Sequence, residues 1–451
     1  MSKHYHLIGI GGIGMSCIAQ LLLRRGNAVS GSDVKDSALL RQLRTLGATV
    51  SIGHAAAAVQ GVDEVIYSSA IKEDNPEMQE ARRLGLPLLK RAEALAQLMK
   101  DKCVITVAGS HGKTTTTSLA SLLLLNAGLA PSVAIGGILR NIATNACLGN
   151  GDYFVAEADE SDGSFLYYEP QYSIVTNIDV EHMDYFKDFS SELEAFKKFI
   201  SLTRHNGCVF WCGDDPHLCS LMQGYSGRHI SFGLTEACQV FPRNIAIEGL
   251  QSSFDCFAHD AFVGHFDLAL GGRHNVSNAL SVIALGLSLG IDIDCIKKTL
   301  AQFKGAARRL DITYQDAYCV IDDYAHHPTE IRATLDAVRK LNKRTIAIFQ
   351  PHRYTRTKAL LEDFARSFSM ADYVIVTDIY PASEMPLEGI TGQLVCDRIK
   401  AYDQGKKAVF LPRHDIVSHV KGLLQPGDVV ITLGAGDIIK INHELVESLK
   451  H

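Results

Sequence analysis

Val104-Ile105-Thr106-Val107-Ala108-Gly109-Ser110-His111-Gly112-Lys113-Thr114-Thr115 is the stretch that decides how this chain folds. A β-branched apolar run leads into a loop bounded by glycines, then a lysine and a hydroxyl, and the helical segment 116–125 follows directly. Glycines let backbone N–H groups curl around phosphate oxygens, a new helix presents unpaired N–H groups and its positive dipole end, and Lys113 adds a point charge. Thr114 is then placed to hold a magnesium ion. The spacing departs from GxxxxGK[ST], because position 107 is valine and the first glycine comes at 109. A plain turn between strand and helix is the other reading. The coincidence of strand, GK[ST] and helix favours a shortened phosphate loop made of Gly109, Ser110, His111, Gly112, Lys113, Thr114 and Thr115.

Around that loop there is room for about three domains, at about 150 residues each. A hydrophobic content of 47% and a charged content of 21% describe a globular chain with a sizeable core. The net charge of -6 and scattered Lys and Arg give no footprint for nucleic acid or anionic lipid, so anionic substrates must be held by local sites. The 11 cysteines are irregularly spaced, and the N-terminus has no basic, apolar and cleavage-site sequence, which reads as a cytoplasmic chain. Cys208, Cys212, His217 and Cys219 are close enough to suggest zinc, yet without CxxC pairs they read better as buried thiols near a turn. The apolar run 119–125 is far too short to span a bilayer. The chain is read as a monomer or a homodimer.

Upstream, His4–Ile8 reads as a strand, followed by Gly9-Ile10-Gly11-Gly12-Ile13-Gly14 and a helical pattern over 15–24. This fits GxGxxG between strand and helix, with Asp33 at the end of the next strand, so a Rossmann-like half is expected. The loop suits the pyrophosphate of any nucleotide diphosphate. A nicotinamide dehydrogenase is one reading, but the unit is short and a redox enzyme has little need of a second phosphate loop. Ser69, in Ser68-Ser69-Ala70-Ile71, falls at the end of the strand 65–67, where a parallel sheet presents ligands; a turn hydroxyl is the plainer reading.

Downstream, the strand beginning at Tyr153 ends in Glu157-Ala158-Asp159-Glu160-Ser161-Asp162, and the strand beginning at Tyr172 ends in Asn177-Ile178-Asp179-Val180-Glu181-His182-Met183-Asp184. Two acidic clusters on successive strands beside a phosphate loop converge on one rim of a sheet, where carboxylates can meet a metal held by Thr114. Gly271-Gly272-Arg273-His274-Asn275-Val276-Ser277-Asn278 then opens a helical pattern over 279–289. Asn275 and Asn278 are three apart and can face one ligand; helix capping by Asn275 is the alternative. The alternation over 252–270 suggests additional antiparallel strands. Further on, a strand over 317–321 runs into Asp322-Asp323-Tyr324-Ala325-His326-His327-Pro328-Thr329-Glu330, followed by a helix over 331–341 and a strand over 345–349. Arg353 and Arg356 are spaced to share a face on a helical first turn and clamp a carboxylate.

In this order, GIGGIG, SSAI, GSHGKTTTT, EADESD, TNIDVEHMD, GGRHNVSNA, RRLD, DDYAHHPTE and QPHRYTRT cover nearly the whole chain. Together they closely resemble the Mur ligase family, and DDYAHHPTE and HRYTRT resemble its alanine-adding member more than later ones. The resemblance implies an α/β fold of three domains. These are a Rossmann-like UDP-sugar domain (1–101), a central P-loop ATPase-type domain with a mixed sheet (102–307) and a Rossmann-like amino-acid domain (308–451). It implies an ATP- and Mg2+-dependent amide ligase that joins L-alanine to the lactyl carboxylate of UDP-N-acetylmuramate through an acyl phosphate, in peptidoglycan precursor synthesis. A relative that attaches a preformed peptide to the same UDP-sugar shares this chemistry. By position, Gly11, Gly12, Ile13, Gly14 and Asp33 would hold the UDP part, and Lys113 the ATP phosphates. Thr114, Glu157 and His182 would bind magnesium, His274, Asn275 and Asn278 would meet the adenine nucleoside, and Asp323 the ribose. Arg309 would approach the γ-phosphate. Tyr324, His326, Arg353 and Arg356 would position L-alanine, with His326 as the group that helps the amine lose its proton. Some relatives bridge their metals with a carbamylated lysine; Phe196 falls near that place with Lys197 and Lys198 beside it, and because the alanine-adding members do without the modification it is not expected.

Overall fold

The computed structural model describes residues 2–181, 185–382 and 384–450, and it is an α/β protein of three domains, each with its own sheet. The first sheet has five parallel strands in the order Thr49–Ile52, Ala28–Asp33, His4–Ile8, Glu64–Tyr67, Leu88–Lys90. Chain order reverses at His4–Ile8, so the crevice for a ligand opens at the carboxyl ends of that strand and of Glu64–Tyr67. Gly9–Gly12 and Ser68–Ile71 are the turns that leave those two ends.

The second sheet has ten strands, and Cys103–Ala108 lies inside it between Tyr172–Val175 and Tyr153–Glu157, parallel to both. Val107 pairs with Glu157 and Ala108 with Val175, which brings the phosphate loop and both acidic loops to one edge. Ser132–Leu139 continues the parallel run and pairs antiparallel with Thr144–Cys147, so the sheet is mixed. The alternating segment near residue 260 forms the strands Gln251–Ala258 and Ala261–Leu268 at the other end of the sheet.

The third sheet has six strands in the order Asp311–Gln315, Cys319–Asp323, Val429–Leu433, Thr345–Phe349, Tyr373–Val376, Lys407–Phe410, parallel except for the first pair. Its faces carry separate cores. Ile321, Phe349, Val374 and Ile431 pack on one side, and Val320, Ile346, Ile375 and Val430 on the other. This is the alternation a strand buried on both faces must show. Each fully buried Phe or Ile contributes about 2 kcal/mol.

Several boundaries differ from expectation, three of them at the site's edges. The strand expected at 317–321 is Cys319–Asp323, so Asp322 and Asp323 belong to the strand and are buried at 0% and 3% exposure. They are tolerated because each carboxylate is hydrogen-bonded. The helix expected from 279 begins at Arg273, because Gly272 turns the chain at φ 102° and its carbonyl oxygen accepts from Asn275 N–H. The helix expected at 331–341 is Pro328–Arg339, with proline in its first turn.

The chain packs as two compact units: residues Met1–Asn244, Phe254–Phe266 and Ser277–Lys304 in one, and Ile245–Ser253, Asp267–Val276 and Gly305–His451 in the other. Within the first unit, the helix Ile13–Arg24 lies against Ser132–Leu139 and Thr144–Cys147. Asn145, 1% exposed, donates to the Ile13 carbonyl oxygen at 2.7 Å and accepts from Gln20 Nε2 at 2.8 Å. No described helix is long and apolar enough to cross a membrane.

Candidate active site

Two glycines shape the central loop. Gly109 has φ 129° and Gly112 φ 83°, and a Cβ at 109 would stand 2.2 Å from Thr176 Oγ1. Gly112 then caps the helix Lys113–Asn126, whose first turn begins at the lysine. The loop is stitched to the neighbouring strand end: Asn177 Oδ1 accepts from His111 N–H at 2.9 Å, and Ser110 Oγ accepts from Asp179 N–H at 2.8 Å. His111 Nε2 meets Asp179 Oδ2 at 2.9 Å. A Cβ on Gly112 would stand 2.7 Å from Asn278 Oδ1, so Asn278 faces this loop.

Lys113 donates to the carbonyl oxygens of Gly109 and Ser110 at 2.6 and 3.1 Å, and to Glu160 Oε1 at 2.7 Å. Burial works against the ammonium, but the carboxylates of Glu160 and Asp159 outweigh it and hold Lys113 above the ordinary lysine range. Glu157 accepts from Thr114 Oγ1 at 3.2 Å and from Gly136 N–H at 3.0 Å. Burial raises its carboxyl above the usual value against the pull of Lys113. A Cβ on Gly136 would stand 2.4 Å from Glu157 Oε1, so glycine keeps that cradle open. A hydroxyl beside a carboxylate is a hard oxygen pair that suits magnesium. His182, expected as a further ligand, lies outside the described residues, as do Met183 and Asp184.

In the first glycine loop, Gly11 N–H donates to Asp33 Oδ2 at 2.9 Å, and Asp33 Oδ1 accepts from Val34 N–H at 2.8 Å. Asp33 therefore holds the loop's shape as well as standing at the strand end. Ile13 begins the following helix, with Gly12 as its cap. Ser69 is exposed on its turn.

The second unit gathers another group of expected residues. Asp323 accepts from Leu310 N–H at 2.7 Å and Ala325 N–H at 2.8 Å, and burial, opposed by Arg309, pushes its carboxyl up to about 6. Arg308 and Arg309 lie over the Tyr324 ring at 5.1 and 5.2 Å. His326 Nδ1 stands 3.0 Å from the Tyr324 carbonyl oxygen and 3.2 Å from Glu330 Oε2, both acceptors, so the ring proton sits on Nδ1 and the basic lone pair on Nε2. His274 is neutral, pushed down to about 4 mainly by burial. Asn275 donates to the Gly271 carbonyl oxygen at 2.8 Å within the first turn of its helix.

Arg356 is in the short helix Tyr354–Ala359, whereas Arg353 is its cap at φ 66°, ψ 139°. The two do not share a helical turn, because Arg353 N–H is tied to the Tyr380 carbonyl oxygen at 2.8 Å. The cysteines near 212 are free thiols: Cys208 and Cys212 are buried, and Cys219 Sγ faces the Gly213 carbonyl oxygen at 3.2 Å. Phe196 is fully buried and meets the Phe165 ring edge-on at 5.3 Å, so a core aromatic fills that place.

Sequence reasoning passed over Glu160, Arg91 and His352. Glu160 was one acid in a run, and only the fold shows which one meets Lys113. Arg91 follows directly on the strand Leu88–Lys90, at the carboxyl edge where ligands gather, and that position was its signal. His352 joins His326 and Tyr380 in a row of rings, at centroid distances of 5.5 and 5.6 Å. Burial, His326 and Arg356 push it down to about 2.

The chain's relatives carry the same arrangement through all three sheets. Residues 4–103 match the Mur ligase family, catalytic domain; 107–286 match the Mur ligase middle domain; and 308–436 match the Mur ligase, glutamate ligase domain. A UDP-N-acetylmuramate--L-alanine ligase of Desulforapulum autotrophicum is 44% identical over 454 residues, covering 99% of each chain. One of Anaeromyxobacter is 44% identical over 447 residues, covering 99% of this chain and 97% of the other. Among solved structures, a UDP-N-acetylmuramate-alanine ligase from Thermotoga maritima aligns with a TM-score of 0.86 at 30% identity over 99% of both chains. A murein peptide ligase from Psychrobacter arcticus shares the fold, with a TM-score of 0.74 at 24% identity over 99% of both. With full-length identity of this order laid over two glycine loops and an acidic strand edge, the chain belongs to the Mur ligase family.

Proposed function

We propose that this chain is a cytoplasmic ATP-dependent ligase, a monomer or homodimer. It joins L-alanine to the lactyl carboxylate of UDP-N-acetylmuramate, with release of ADP and phosphate, as a step of peptidoglycan precursor synthesis. The observation that carries this reading is the single strand edge on which Lys113, Thr114 and Glu157 meet, in a chain whose first sheet presents a separate glycine loop. Three domains, with borders at 1–101, 102–307 and 308–451, give the UDP-sugar, ATP and the amino acid one each. A dehydrogenase has no use for the central loop.

A carboxylate in water does not react with an amine until it is activated, and transfer of the γ-phosphoryl group to give an acyl phosphate supplies that activation. In this reading Gly109, Ser110, His111, Gly112 and Thr115 wrap the phosphates, while Lys113 and Arg309 provide fixed positive charge where the phosphoryl group transfers. Thr114 and Glu157 would hold magnesium, with His182 as a further ligand; when bound, the metal neutralises phosphate charge. His274, Asn275 and Asn278 take the adenine nucleoside and Asp323 its ribose. Gly11, Gly12, Ile13, Gly14, Asp33 and Ser69 hold the UDP-sugar. Tyr324, Arg353 and Arg356 position the amino acid, and His326 accepts the amine proton at Nε2.

A second reading has specific support. The UDP-N-acetylmuramate:L-alanyl-gamma-D-glutamyl-meso-diaminopimelate ligase of Neisseria meningitides aligns at 30% identity over 68% of this chain, with a TM-score of 0.64. Phosphate release with ATP, magnesium and UDP-N-acetylmuramate, with L-alanine, glycine, L-serine or tripeptide added in turn, separates the two. Release that requires L-alanine is expected; release only with the tripeptide would move the assignment to the peptide ligase.

A further inference from the structure

Arg91 is the first residue of the helix Arg91–Met99, and its side chain is 19% exposed. One edge of its guanidinium is fixed: Nη2 donates to Ser164 Oγ at 3.2 Å and lies 3.6 Å from both Asp159 Oδ2 and Asp162 Oδ2. Those partners come from the acidic loop of the ATP edge. Nη1 lies beside the first glycine loop. A Cβ on Gly14 would stand 3.1 Å from Arg91 Cδ and 3.2 Å from Nη1, so the side chain packs closely against this glycine. Nε and Nη1 make no hydrogen bond to the described residues.

A guanidinium is a rigid planar fork, so holding Nη2 in place fixes the direction in which Nη1 points. Here Nη2 is held by the central domain, and Nη1 lies beside Gly14 at the start of the helix Ile13–Arg24, where backbone N–H groups also await an anion. Asp159 in turn acts on Lys113, whose charge it supports. Resting on the reading of Gly11–Gly14 as the UDP-sugar loop, we propose that Arg91 is a further binding and positioning residue. Its Nη1 takes a diphosphate oxygen beside the glycine loop, while its anchored Nη2 sets that diphosphate against the acidic loop of the ATP site. The lactyl carboxylate of the same substrate is thereby held in register with the transferring phosphoryl group.

The test is calorimetric binding of UDP, and separately of ADP with magnesium, to the full chain and to its Arg91→Gln and Arg91→Lys variants, with steady-state kinetics beside it. Loss of hydrogen bonds to a charged group predicts that Arg91→Gln weakens UDP by roughly tenfold to a hundredfold. ADP should change by less than about threefold. Arg91→Lys keeps the charge and most of the packing but cannot hold Ser164 and the diphosphate together, so it should still weaken UDP and lower kcat as well as raise KM for the UDP-sugar. It also covers the case in which the glutamine variant fails to fold. A folded variant with UDP affinity and KM equal to the parent would overturn the role of Arg91. Failure of the parent chain itself to bind UDP would instead remove the reading of the first glycine loop.

Discussion

Lys113 is buried against Glu160, which is 0% exposed, and this changes what replacing the lysine measures. Lys113→Ala removes the cation proposed to meet the phosphates and also strips a buried carboxylate of its ammonium partner. A loss of turnover together with about 3 kcal/mol of stability is expected. Lys113→Met with Glu160→Gln should recover much of the stability and none of the turnover, as read by urea denaturation and phosphate release; recovered turnover would exclude Lys113 from phosphoryl transfer. His274 offers a second test. Its folded value near 4 lies below the ordinary 6.5, so on acidification the unfolded chain takes the proton first. The neutral ring's contribution is complete above 6.5 and is lost as pH falls from 6.5 towards 4. Between about pH 7 and about pH 5, the parent's urea midpoint should therefore fall more than that of His274→Gln. Equal slopes would mean the ring is not held neutral. At this scale the sequence was informative wherever a residue's placement follows from its place in the chain, as for Lys113 and Thr114 at the start of their helix. It was silent on Glu160 and Arg91, whose partners lie 47 and 73 residues away.

Among elements, the central loop depends on glycines that turn where other residues are strained. Gly112→Ala would put a Cβ 2.7 Å from Asn278 Oδ1 at φ 83°. A cost of about 1–3 kcal/mol and a clear loss of ADP affinity follow, because Asn278 and the cap of Lys113–Asn126 must both shift. Calorimetry on a variant shown to be folded would decide it, and unchanged affinity would mean that the backbone here does not face the nucleotide. The elements themselves were largely legible. Strand, loop and helix at 103–126 and at 4–24 are set by local apolar runs and glycines, and successive acidic strand ends implied one shared edge, which the parallel registers of Val107 with Glu157 and Ala108 with Val175 bear out. The boundaries that moved did so for tertiary reasons. Asp322 and Asp323 could enter a buried strand only because Arg308, Thr432 and two backbone N–H groups meet their carboxylates, and no local pattern announces such partners.

For the molecule as a whole, the first domain must be kept in place against the central sheet. Within the first compact unit part of the answer is a small buried polar lock. Asn145 bonds Ile13, the first residue of the helix behind the glycine loop, and Gln20, whose Oε1 also accepts from Thr144 Oγ1 at 3.1 Å. Because Asn145 is 1% exposed, Asn145→Ala leaves the Ile13 carbonyl oxygen and Gln20 Nε2 without these bonds in a place water scarcely reaches. The expected cost is about 1–3 kcal/mol. It should fall on the junction: hydrogen exchange should rise along residues 13–24 and UDP affinity should drop, while ADP affinity holds. Asn145→Asp keeps the acceptor for Gln20 but sets a carboxylate against the Ile13 carbonyl oxygen, so it should destabilise at least as much. If the alanine variant keeps the parent's exchange along that helix, the packing against Ser132–Leu139 and Thr144–Cys147 holds it without Asn145, and the first glycine loop does not take its position from that residue.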